Sequence, residues 1–150
     1  MKGIGMLKES PDHLDADLVL KIYDLRREAV MRESRNAIRM KYLPKNAQEA
    51  VAVLQADHPL NAAFRQVSGY WEMVYSMARH GIVHADFLME SNGEGILLYA
   101  RVEPYLKELR AAGAATAFRN AEWVTANCEV GRQVLERMRS RVAKATAAKS

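Results

Sequence analysis

Cysteine is all but missing from this chain. Its one cysteine, Cys128, has no second thiol to pair with, so packing alone must hold the fold, in keeping with a reducing cytoplasm. Long apolar runs are missing too. No stretch nears the roughly 18 consecutive apolar residues of a membrane-spanning helix, and the opening MKGIGMLKESPD lacks the apolar run of a signal peptide. Sustained apolar–polar alternation with β-branched enrichment is absent, so nothing calls for a sheet. Neither G-x-x-x-x-G-K-S/T nor G-x-S-x-G occurs, and Gly3-Ile4-Gly5 follows no strand and opens no βαβ unit. These absences leave a cytoplasmic chain with no membrane span.

What is present is helical periodicity. A length of 150 residues suits one domain, and no internal repeat or linker divides it. Residues 60–88 organise the rest. Leu60, Ala63, Phe64, Val67, Trp71, Val74 and Ala78 share one helical stripe, which Tyr70, Met73, Tyr75 and Met77 widen to about half the circumference. So wide an arc predicts several packing partners, and His80-Gly81 offers the left-handed turn that ends the helix. Upstream, Ser10-Pro11 predicts a helix start with Ser as cap, followed by Asp12, Asp15 and Asp17. Two apolar faces, one with Leu14, Leu18, Ile22 and Leu25 and one with Leu20, Met31 and Ile38, run on towards Pro44. They predict an overlong first helix of about thirty residues, roughly 45 Å. Such a helix must kink, near Ser34-Arg35-Asn36, or find a partner. Asn46 and Glu49 have the spacing of a capping box for a short helix over 47–55. A helix over 96–111 should bend at Pro104, and a last helix covers 116–143. The expected fold class is all-α: a single-domain bundle of about five or six helices, spanning 1–150, with 1–10 and 144–150 disordered.

Charge is unevenly placed. The net charge of +4 conceals +5 in residues 21–45, with eight Lys/Arg against three acids, and +5 in residues 132–150, with six against one. Arg32, Arg35 and Arg39 lie near one line with Lys21, and Arg137 and Arg141 belong to the second patch, so an anionic partner is one reading. The other is that cations gather at helix C-termini. Asp24 and Glu28 lie on the first line and would repel phosphate, and no aromatic residues interleave with the basic tail to stack bases.

Other constellations point to structure. His80 and His84 with Asp86 have metal-ligand spacing, but Gly81 ends the helix between them and only His58 is left as a distant third ligand; no metal and no cofactor is expected. Glu90, Asn92, Glu94 and Gly95 copy half a calcium loop, yet position twelve is the cation Arg101. Cys128, with Phe118, Ala121 and Thr125, reads as a small core residue. Glu72, on a widely apolar helix, would need a cationic partner if covered, and an inter-helix pair with Arg26 or Arg27 is the expectation. A solvated polar face with local pairs such as Glu28 with Arg32 is the alternative.

Four segments stand in a familiar order: YDLRREAVMRESR (23–35), YWEMVYSMARHGIVHADFL (70–88), YARVEPYLKELR (99–110) and AFRNAEWV (117–124). Together, over roughly residues 18–127, they resemble an uncharacterised family of small bacterial helical proteins, a catalogued domain of unknown function. The resemblance implies an all-helical fold and a motif role for Arg26, Arg27, Glu72 and Arg79, and supplies no activity or catalytic residue. The function expected first is a non-enzymatic interaction or regulatory module that self-associates as a homodimer through the first helix. A binder of nucleic acid or an anionic surface, using the basic segments, comes second. An enzyme built on Glu72, Arg26, Arg27 and the histidines comes third.

Overall fold

Helix starts in this chain are chosen by oxygens that answer otherwise unpaired amides, and several of those oxygens come from far away in sequence. The computed structural model describes residues 8–148, which are all-helical with no strand among them. The first helix, α1 (His13–Arg26), is capped by Asp12 rather than Ser10. The Asp12 carboxylate accepts from the Leu14 and Asp15 amides while Asp15 accepts from Asp12 N, a reciprocal box built of two aspartates.

The overlong helix is two helices. Glu28 leaves helical geometry (φ −56°, ψ 143°) and turns its side chain to accept from Met31 N at 2.9 Å, so it caps α2 (Ala29–Lys41). The break falls at Arg27-Glu28 and not at Ser34-Arg35-Asn36, which lie inside α2. A local capping contact, available to an acid but invisible to apolar periodicity, decides it. The remaining helices are α3 (Ala47–Ala52), α4 (Asn61–Arg79), α5 (Ala85–Ser91), α6 (Glu94–Val102), α7 (Leu106–Ala111), α8 (Arg119–Asn127) and α9 (Glu129–Ala148). That is more and shorter segments than expected. A 3₁₀ turn at Glu103–Tyr105 joins α6 to α7 at the anticipated Pro104 bend. Residues 144–148, expected to fray, continue α9; residues 1–7 and 149–150, also expected disordered, lie outside the described residues.

The buried apolar residues form one cluster drawn from α1 to α9. The wide apolar arc of α4 meets α2, α5, α6 and α8. Gly81 (φ 71°) ends α4 as predicted, with the Ile82 amide reaching back to Met77 O. Innermost is α6, where residues 95–100 are all buried. Gly95 lets it in: a Cβ there would stand 2.5 Å from the Trp71 ring, which itself stacks on Tyr75 with ring centres 5.6 Å apart. α1 is different. It buries only Asp15 and Ile22, while Leu14, Leu20 and Leu25 stay more than half exposed.

Candidate functional site: an arginine-lined cleft

On α2, Met31 and Ile38 face the core. Arg32, Arg35 and Arg39, at spacings of three and four, fall on the flank beside them. On α9 the core stripe is Gly131, Val134, Leu135 and Met138, so Arg137 and Arg141 fall on its flank in the same way. The fold turns the two flanks towards each other. All five arginines line one cavity of about 570 Å³, together with Met89, Gly93, Leu97, Met138 and the acids Glu90 and Glu94. Gly93 brings the floor close to α9, since a Cβ there would touch Val134 at 3.0 Å.

Among the described residues, one of the five arginines is neutralised. Arg35 grips Glu94 with two parallel bonds of 2.6 and 2.7 Å and also donates to Arg26 O. That grip holds its guanidinium above its usual pKa. Arg32 donates to the Arg27 carbonyl, Arg39 to Asn36 Oδ1 and Arg141 to Met138 Sδ. Among the described residues none of these three, nor Arg137, has a carboxylate partner. Just behind them Arg101, which sequence reasoning used only to reject a calcium loop, donates to Ile38 O. Its pKa is lowered by burial and then by the charges of Arg141 and Arg39. The cleft holds five arginines near one another against two acids, and this excess of like charge costs folding free energy.

The motif residues divide between two other places. Arg26 lies over the rings of Tyr23 and Trp71, at 5.2 and 5.8 Å, and donates to Asn92 Oδ1; Arg27 lies over Tyr23 at 5.4 Å. Glu72 pairs with neither. Its two oxygens accept from the Asn120 and Ala121 amides at 3.0 and 2.8 Å, capping α8, whose own cap residue Phe118 is left-handed (φ 62°) and offers no side-chain acceptor. Burial raises the Glu72 pKa, and the two amides oppose that rise. Arg79 joins the same seam by donating to Asn120 Oδ1 at 3.1 Å, while Asn120 donates to Glu72 O. The pair expected from a helix face fails because a helix N-terminus can neutralise a carboxylate as an arginine can. The local alternative fails too, since Glu28 is spent on Met31.

The histidines and the cysteine take structural places. His84 caps α5 by accepting from Phe87 N, and Asp86 accepts from Val130 N at the start of α9. No cluster of three or more His, Cys, Asp or Glu side chains suited to a metal occurs among the described residues. Cys128 is buried, donates to Val124 O, and is pushed up by burial to about 11. Sequence reasoning placed Asp15 among the acids at the start of the first helix and did not foresee its burial. It is fully buried on α1, where it accepts from Lys8 Nζ at 2.9 Å and from the His84 amide at 3.1 Å. Burial disfavours its charge, but these bonds outweigh burial and hold its carboxyl below the ordinary range. Its D-x-x-D spacing with Asp12 was the available signal.

Residues 11–128 match the family described as Domain of unknown function (DUF4760). The chain belongs to that family. No curated protein and no solved structure matches it, and no helix among the described residues is long and apolar enough to cross a membrane. The DUF4760 match runs from the start of α1 to the end of α8. It contains the Glu72–Asn120–Arg79 seam, the Arg26–Trp71 contact and the α2 wall of the cleft. The opposite wall, with Arg137 and Arg141, lies on α9 beyond the matched residues.

Proposed function

We propose that this DUF4760 member is a non-enzymatic binding module whose cleft between α2 and α9 takes a compact anionic group, a phosphate or a carboxylate. The observation that carries the reading is the meeting of five arginines, from segments about a hundred residues apart, around a cavity holding only two acids. Guanidinium groups present flat pairs of donors to such anions and give up no proton near neutral pH, so they bind rather than transfer protons. A pocket of this size favours a small ligand over the long phosphate track of a nucleic acid. The unpaired, buried Cys128 supports a reducing, cytoplasmic setting.

The test is calorimetric titration with inorganic phosphate and citrate of the wild type and of the double variant Arg137→Ala/Arg141→Ala. We expect salt-sensitive binding in the wild type and at least a tenfold loss in the variant, whose melting temperature stays close to that of the wild type because both side chains are exposed. Equal binding by both proteins overturns the proposal. Tight binding of a single-stranded oligonucleotide alone, steeply weakened by salt, transfers the site to nucleic acid.

Self-association is a second reading, supported by Leu14 and Leu25, which are 59% and 55% exposed on one face of α1. Light scattering of the wild type and of Leu14→Glu/Leu25→Glu tests it: a dimer that the variant dissolves supports it, and a monomeric wild type ends it.

A further inference from the structure

A second cavity, of about 560 Å³, adjoins the arginine cleft. Leu97 and Arg141 line both, so the two meet at those side chains. The chemistry changes across that border. On the far side the wall is mostly apolar, with Leu43, Pro44, Pro104, Tyr105 and Val142 and with Ala145 towards the end of α9, and Lys45 and Thr146 are its polar members. Apolar surface is thus left open next to a concentration of positive charge. Arg101 lines the second cavity, pinned to the Ile38 carbonyl and feeling the charges of Arg141 and Arg39.

Resting on the anion-binding reading above, we infer that the ligand is a small single-tailed amphiphile, its anionic head among the arginines and its linear apolar tail along the groove. Charge complementarity fixes the head's position and sign. A free inorganic anion would leave the groove wet, and an apolar molecule without charge would leave the arginines unanswered. Two cavities of near-equal size that share Leu97 and Arg141 also suit one molecule better than a flat bilayer surface, which would bury neither.

The probes are inorganic phosphate and butyl, hexyl, octyl and decyl phosphate, each below its micelle concentration. They are titrated into the full chain, with octanoate alongside to separate phosphate from carboxylate heads. Affinity rises with chain length, by up to about fourfold for each methylene buried. Arg137→Ala weakens every probe by a similar factor, while Ala145→Gln, on an exposed position of α9, flattens the chain-length gain and leaves inorganic phosphate binding intact. Flat affinity across the series, with inorganic phosphate still bound, overturns the amphiphile and spares the anion site. Absence of binding by every anion overturns both. Equal uptake of an alkyl trimethylammonium shows detergent-like adsorption and overturns the amphiphile, as does binding to anionic phospholipid vesicles without binding to the soluble probes.

Discussion

Arginines serve two different ends in the two halves of this molecule. Along the seam between α4 and α8, Arg79 donates to Asn120, which is tied in turn to Glu72, and Glu72 is spent on two backbone amides. In the cleft between α2 and α9, Arg35 is the one arginine of the five to meet a carboxylate among the described residues, while Arg32, Arg39 and Arg141 settle for carbonyl, amide or sulfur acceptors. A polar network with its bonds complete makes interfaces unique. One short of counter-charge leaves work for a ligand. The seam sets one arginine beside one carboxylate, and the cleft sets five arginines against two acids.

The comparison breaks most easily on its saturated side. Glu72→Ala strips the acceptors from two amides at the start of α8 and should cost about 2–4 kcal/mol, read as a lower urea midpoint, with phosphate binding unchanged. A variant that unfolds no sooner than the wild type would mean that water replaces the carboxylate. On the other side, Glu94→Gln frees Arg35 from its clamp. Both partners are partly exposed, so the stability loss should stay below about 1 kcal/mol, while phosphate affinity rises a few-fold in calorimetry; weaker binding would show that Arg35 needs Glu94 to hold its pose.

The smallest effect is local and sharpens the contrast between carboxylates. Asp15 titrates below its ordinary 3.8, so its stabilisation is complete above that pH and fades as the pH falls through its lower folded value. Glu72 is raised above 4.5, so the folded state is disfavoured as the pH climbs from there through its folded value, and acid relieves it. Hydrogen exchange should therefore show α1 amides losing protection below pH 3.8, with α8 amides holding theirs over the same interval. Simultaneous loss in both helices would refute the separation.

Much of this architecture was legible. The stripe of α4, the glycine that ends it and the bend at Pro104 follow from periodicity and from the shapes of glycine and proline, which act within a turn or two. The two basic segments were legible as well, each from local composition. Their meeting was not, because nothing local in residues 32–39 records that α9 will lie opposite. The same limit hid the partner of Glu72. A carboxylate on an apolar helix announces that it needs a neutralising group, but not whether a guanidinium or a helix start will serve. The break at Arg27-Glu28 was missed for another reason: Glu28 is a good helix former by propensity, and its capping bond to Met31 competes with helix on nearly even terms.

Glu72 closes α8 from 48 positions away, Asp86 bonds the start of α9 across 44, and Asp15 ties α1 to the amide ahead of α5 across 69. Short helices are marginal in water on their own, and α8, nine residues long with no cap of its own, gains its acceptors only once α4 is alongside. Secondary structure here is therefore a product of assembly and not its precursor. Folding should be cooperative from end to end, with no stable helical fragment to be cut from the C-terminal third of the chain.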